Sequence, residues 1–440
     1  MCPSTIVSVV LTICVTYTSG LITRQSPSGR ATVDLTASVG QASFLGSGFI
    51  YGWPDNGTSA DNSIPDNFVT DIKFHASRAG GAQISALGWA GGGYNEYIGR
   101  FDSTLSNYRT TRKYGGDFIL LPHDLWGSDG GQSAGSVFPG DNGNWTEMEV
   151  FFGQLVSDLK ENDMLEGLVF DIWNEPELTI FWNQLPGTLI SGPSSANAPG
   201  LDLDTWSTWL NTIQTNDVVP DIYSWHQIGE WQREPDRVIP DFNTLLNRYN
   251  LPQRPIDNNE YAWPSEQNPG TSVFYLAQLE RHNVRGLRAN WGSGSDLHNF
   301  MADLVFKNTD GTYSSNGDWQ VYRYYGQMDG DRVATVASAD LKFDVFATIS
   351  GNGVKILAGT RTVQSTYEIG ISGMSRLGLP ADGVIQVRSY RFDWTGTKAE
   401  VGPPVDLGLA EFQYSSDTLL ITVVPPTNAT AFAFEFSGPN

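Results

Sequence analysis

Short apolar runs and amphipathic stretches take turns along most of this chain. Between about residues 44 and 302, runs at 44–52, 82–87, 118–122, 167–173, 188–192, 222–227, 256–260 and 286–291 read as strands, each ending near polar or aromatic residues. Helical spacing falls between them, at 66–78, 95–113, 204–216, 242–249, 272–281 and 297–306. The clearest helix follows Asn144, where Met148, Phe151, Phe152, Leu155, Val156 and Leu159 form one stripe. Thr146 and Glu149 have capping-box spacing at its start. Strand and helix in alternation, eight times over, predict an α/β fold, a (β/α)8 TIM barrel, over residues 44–310. One unit is short: Pro176 to Gly187 must hold both a mouth loop and a crossover helix, so either the fourth helix is shortened or the chain lacks a segment that related proteins have.

Past residue 310 the pattern changes to short β-rich runs broken by Gly, Asp, Asn or Pro, and Phe432, Phe434 and Phe436 alternate on one face. Residues 311–440 are therefore expected to form a C-terminal antiparallel β-sandwich, with the N-terminal segment 21–43 as a possible edge strand through its alternating stretch 31–37. Residues 1–20 read as a signal peptide, an apolar run at 6–15 followed by small residues, too short to span a bilayer. Both cysteines, Cys2 and Cys14, fall inside it.

Composition narrows the partners. The formal net charge of −22 repels nucleic acid and anionic membranes, so neither is expected as a partner. The 14 Trp, 17 Tyr and 22 Phe supply both core and platforms on which sugar rings stack. Asn56, Asn144 and Asn428 each open an Asn-X-Ser/Thr sequon, which has meaning in a secreted, extracellular chain. With five His there is no metal-ligand spacing of the HExxH or CxxC kind, so no metal and no cofactor are expected. The string GQSAG at 131–135 has no strand running into it, which argues against a serine nucleophile.

The chemistry concentrates in GLVFDIWNEPE, residues 167–177, where an apolar strand runs into Trp-Asn-Glu-Pro. Catalytic groups in a barrel sit at the carboxyl ends of strands, where Glu175 falls, and Asn174 can bond a sugar hydroxyl. Glycosidic bonds break between two carboxyl groups, and Glu260, ending the run RPIDNNEY, is the partner; Asp257 is its rival on the same strand. The strand-four WNEP glutamate with a strand-seven glutamate resembles clan A glycoside hydrolases. Within that clan the chain most resembles glycoside hydrolase family 39, the β-xylosidase and α-L-iduronidase family. Leu121-Pro122-His123, Phe181-Trp182, the run 190–193 and YSWHQI at 223–228 carry the likeness further.

The leader and sequons imply secretion, and the resemblance implies an enzyme with a carbohydrate substrate, retaining stereochemistry, Glu175 as acid/base and Glu260 as nucleophile. It implies Asn174 as ligand for the sugar 2-hydroxyl, His226 on the sugar or orienting Glu260, and Trp291 as the hydrophobic floor. His123, Tyr261 and Trp53 complete the substrate-binding candidates, though core packing explains each equally well. A carbohydrate-binding relic of the same fold, catalytically impaired by the short fourth unit, is the alternative.

Overall fold

The computed structural model describes residues 26–129, 139–171, 188–228 and 234–439. The first strand, β1 (Gly29–Gln41), belongs to the C-terminal domain. Eight parallel strands then close a barrel in chain order: β2 (Gly48–Ile50), β3 (Ala76–Ala79), β4 (Asp117–Leu120), β5 (Leu168–Asp171), β6 (Leu189–Ser195), β7 (Ile222–Gln227), β8 (Ile256–Tyr261) and β9 (Val284–Arg288). The helices described around it are α1 (Asp66–Thr70), α2 (Trp89–Gly92), α3 (Tyr94–Lys113), α4 (Pro122–Trp126), α5 (Thr146–Glu161), α6 (Asp204–Thr215), α7 (Pro235–Arg248) and α8 (Pro269–His282). All six stripe residues of α5 are buried, so the periodic face packs on the barrel as its spacing requires. Its start differs from the expected capping box. Thr146 is the first helical residue, no side chain caps the N-cap Trp145, and Asn144 Oδ1 instead accepts the Thr146 N–H at 3.1 Å.

Two stretches depart from the expected pattern. The helix expected at 66–78 is only α1, and the second barrel strand is β3, not 82–87. The four residues of β3, Ala-Ser-Arg-Ala, are all buried yet nearly devoid of apolar bulk, so no hydrophobic period marks them. The helix expected at 297–306 is a 3-10 turn (Gly294–His298) followed by a hairpin of β10 (Val305–Lys307) with β11 (Tyr313–Ser315). Helix α9 (Gly317–Tyr325) then leads into the second domain. The expected shortened fourth helix falls at 172–187, outside the described residues.

The barrel interior is layered. Ile50, Ala76, Ile119, Val169, Ile222 and Leu287 form an apolar middle. At the amino end Arg285 donates to Asp257 at 2.5 and 2.9 Å and to Asp117 at 3.0 Å, tying β9 to its neighbour β8 and, across the interior, to β4. Asp257 is therefore part of a structural ion pair at the end opposite the mouth. Near this end His75 Nε2 donates to the Leu45 carbonyl at 3.2 Å. Burial, with the Arg285 charge, lowers its pKa to about 4. The unfolded chain takes up the proton near pH 6.5 and the folded one does not, so stability falls as pH drops from about 6.5 to about 4. His75→Gln should flatten this acid limb by roughly 2 kcal/mol, partial exposure trimming the full linkage value. Urea titrations at pH 7 and pH 4 check it, and equal slopes for both proteins would exclude the role.

The C-terminal domain is a closed ring in the order β1, β12 (Asp331–Val336), β13 (Phe343–Ser350), β14 (Gly353–Thr360), β19 (Ala431–Ser437), β16 (Gly383–Phe392), β17 (Val405–Ser415), β18 (Thr418–Val423) and β15 (Tyr367–Ser372). β1 is thus no edge. It pairs antiparallel with β12 and parallel with β15, so the sheet is mixed rather than wholly antiparallel. Phe432, Phe434 and Phe436 enter its core beside Val33, Val345 and Ile356. Helix α8 packs between β9 on one side and β13 and β14 on the other, which explains why Pro269 through Glu280 are all buried.

Candidate active site

The carboxyl ends of the barrel strands converge on a pocket of about 220 Å³ lined by Ile50, Tyr51, Arg78, Leu121, His123, Asp124, Asp171, His226 and Glu260. Local backbone irregularities aim several of these groups. On β8, Asn258 lies opposite Trp225 and Glu260 opposite His226, so Asn259 is an extra residue. This bulge turns two consecutive side chains toward the axis. Asn259 Nδ2 donates to Asp171 Oδ2 at 3.2 Å and to Ser194 Oγ at 2.8 Å, while Glu260 Oε1 receives Arg78 Nη1 at 2.9 Å. A second irregularity on β6, at Ser194 with φ 54°, brings its hydroxyl to Asp171 Oδ1 as a donor and to Ser224 Oγ at 2.9 Å.

Arg78 links the site. Its Nε donates to Asp171 Oδ2 at 2.6 Å, and its side chain, like that of Asp171, is buried. Burial opposes the cation, but the facing Asp171 and Glu260 carboxylates outweigh it and raise the arginine above its usual pKa. His226 Nε2 stands 3.6 Å from Glu260 Oε1 and has no hydrogen-bond partner among the described residues. Burial lowers its pKa, with Arg78 adding to the effect and Glu260 opposing it. A buried, unpartnered ring nitrogen beside Glu260 is suited to a substrate hydroxyl. Among the described residues Glu260 Oε2 accepts no hydrogen bond, and the Glu260 side chain lines the pocket.

Opposite these groups His123 Nδ1 meets Asp124 Oδ1 at 2.7 Å, and Asp124 Oδ2 accepts the Tyr51 hydroxyl proton. The Gly80 and Ala82 N–H groups donate to the same phenol oxygen, each at 3.0 Å. Burial raises the Asp124 carboxyl, but hydrogen bonding and charge from His123, with Tyr51 and Arg78, bring it below the usual range. Burial and Asp124 hold the Tyr51 phenol far above its usual pKa.

Of the residues singled out from sequence, Glu260, His226 and His123 meet in this pocket. Trp291 lies beyond β9 at the rim, its ring 4.7 Å from that of Trp263. Trp53 and Tyr261 lie elsewhere. Trp53 is buried, with its Nε1 donating to Thr111 Oγ1 at 3.1 Å, and packs on Phe49, Phe74 and Tyr114. Tyr261 points out of the barrel, its hydroxyl donating to the Gly46 carbonyl at 3.0 Å and meeting the Tyr322 hydroxyl at 2.6 Å. Both are packed in the barrel wall, away from this pocket. Glu175, Asn174 and Phe181-Trp182 lie outside the described residues, as does the 131–135 string. Arg78, Asp171, Asp124, Tyr51 and Asn259 were not singled out from sequence. Asp171 carried a signal, a carboxylate inside the apolar run LVF just before WNEP.

The fold, a closed eight-stranded barrel with a β-sandwich beside it, is similar to that of solved glycoside hydrolases. Among solved structures the chain matches N2152 from Neocallimastix frontalis with a TM-score of 0.72 at 19% identity, over 93% of this chain and 100% of that one. It matches the GH39 enzyme from Xanthomonas axonopodis pv. citri with a TM-score of 0.55 at 14% identity, over 96% and 100% of the two chains. In sequence it is 23% identical over 214 residues to a 3-O-α-D-galactosyl-α-L-arabinofuranosidase of Bifidobacterium longum subsp. longum, which is 45% of this chain and 17% of that protein. This chain therefore matches about a sixth of that relative's length. No family model matches the sequence.

Proposed function

We propose that this protein is a retaining glycoside hydrolase acting on pentosides, β-xylosides or α-L-arabinofuranosides. The observation that carries the reading is the Glu260 carboxylate at the barrel mouth, oriented through one oxygen by Arg78 at 2.9 Å and lining a pocket of about 220 Å³. A cavity of that size suits a single sugar ring. The likeness to two arabinofuranosidases and the β-xylosidase activity within family 39 support the pentose class.

In the first step Glu260 Oε2 attacks the anomeric carbon and the bond to the leaving oxygen breaks, with Glu175 transferring its proton to that oxygen. In the second, water attacks the anomeric carbon, Glu175 takes a proton from the water, and Glu260 departs as a carboxylate. Arg78 fixes the plane of the Glu260 carboxylate, and His226 supplies a ring nitrogen to a neighbouring hydroxyl. Secretion through the leader at 1–20 is part of the same reading, supported by exposed sequon asparagines at 56, 144 and 428.

The test is a screen of aryl β-xyloside and α-L-arabinofuranoside, followed by trapping with the matching 2-fluoro sugar and peptide mapping. The covalent label is expected on Glu260, and a label on any other residue rejects the assignment. Glu175→Gln should slow a poor leaving group by roughly a thousandfold and a dinitrophenyl leaving group far less, since only the former needs its proton. Equal slowing of both would exclude Glu175 as the acid.

A further inference from the structure

Among the contacts that join the second domain to the barrel mouth is a buried arginine. Arg361 directly follows β14 and is 1% exposed. Its Nε donates to Glu266 Oε1 at 2.7 Å and its Nη1 to Glu234 Oε1 at 2.8 Å. Glu234 immediately precedes α7 on the connection after β7, the strand of His226. Glu266 closes the 3-10 turn Pro264–Glu266 after β8, the strand of Glu260. One cation from the sandwich thus joins the two connections that leave the strands of His226 and Glu260.

The link continues to an aromatic ledge. Glu266 Oε2 accepts the Trp263 N–H at 2.9 Å and the Tyr275 hydroxyl at 3.1 Å. Trp263 lies three residues past Glu260, and its ring is tilted 31° against that of Trp291. Trp291 is fastened in turn by its Nε1 donating to the Ala262 carbonyl at 2.9 Å. Both indoles stay open to solvent at this end of the barrel, 42% and 36% exposed. An indole face in that position offers the surface on which the C–H face of a sugar ring packs. Apolar residues hold a domain junction as well as a buried arginine with two glutamates does, so the charged arrangement is better accounted for by the geometry it imposes on its loops.

We infer that Arg361 is a positioning residue for the sugar-binding rim, acting through Glu266 on Trp263, and that Trp263 binds a sugar ring next to the Glu260 pocket. This rests on the carbohydrate reading above. It makes the sandwich a contributor to substrate affinity and not only a prop for the barrel.

Binding is read without turnover, by calorimetric titration of the full-length Glu260→Gln protein with xylotriose and with α-1,5-arabinotriose. Trp263→Ala and Arg361→Met should each weaken binding about tenfold, the worth of one stacked ring. The two changes together should weaken it no further than either alone, because they act on one link. Arg361→Lys keeps a cation between the glutamates and should hold affinity within about threefold of the parent. A lowered Tm with unchanged affinity in Arg361→Met, effects that multiply in the double variant, or no heat of binding with either sugar would each overturn the inference. If Arg361→Met does not fold, Glu266→Ala frees Trp263 while Glu234 still pairs Arg361. It should show the same tenfold loss, and unchanged affinity there overturns the inference too. Sugar binding without glycoside hydrolysis would sink the hydrolase reading and leave this one standing.

Discussion

Glu260→Gln should cut the turnover of an aryl pentoside by about a thousandfold or more while leaving the fold intact. The amide keeps an oxygen that still accepts from Arg78, so the 2.9 Å contact survives while the attacking carboxylate is lost. Glu260 is also the least buried member of the Arg78 ion pairs, its side chain 20% exposed, so neutralising it costs the fold about 1 kcal/mol or less. Initial rates with thermal unfolding on the same samples separate the two effects. More than a tenth of the parent rate in the variant excludes Glu260 as nucleophile. Asp257→Asn is the informative control. It weakens the Arg285 pairing at the opposite end of the barrel and should lower Tm with little change in turnover by the protein that remains folded.

The largest effect on stability is expected from Arg78→Met. The change strips Asp171, 1% exposed, of its only cationic partner among the described residues and leaves it with Ser194 and Asn259 as donors. Leaving a buried carboxylate uncompensated costs roughly 3–5 kcal/mol. Turnover should fall as well, because Glu260 loses the donor that fixes its orientation. The double variant Arg78→Met with Asp171→Asn removes the stranded charge, so it should recover most of the stability and none of the activity. Denaturant midpoints and rates on the four proteins test this. Recovery of both together would mean that Arg78 serves only the fold.

How much of this could be read from sequence depended on whether the deciding force was local. The β7 run and helix α3 were read to within a residue, since β-branched and aromatic runs and a long amphipathic period are properties of the segment itself. β3 was invisible because Ala-Ser-Arg-Ala has no apolar period, and its Arg78, the cation of the site, was absorbed into an expected helix. Glu260 was legible by its distance from WNEP and its place at a strand end, yet strict alternation with the inward-facing Asp257 would turn it outward. The bulge at Asn259 reverses that parity, and it arises from pairing with β7 and β9, which no reading of β8 alone contains. Tyr261 and Trp53 could not be placed from sequence for the opposite reason. An aromatic at a strand end serves wall or mouth equally well, and only the packing decides.

The ring position of β1 has a consequence for how the molecule is made. β1 pairs with β12 and β15, so its partners lie some three hundred residues further along the chain, while the barrel between them uses contiguous sequence. During synthesis the barrel can close while β1 waits with both edges bare, and the ring is completed only once the last third of the chain has emerged. The slow, aggregation-prone phase of folding is therefore expected in the sandwich and late. A chaperone that shields residues 29–41 would speed the yield of whole protein without touching the rate at which the barrel forms.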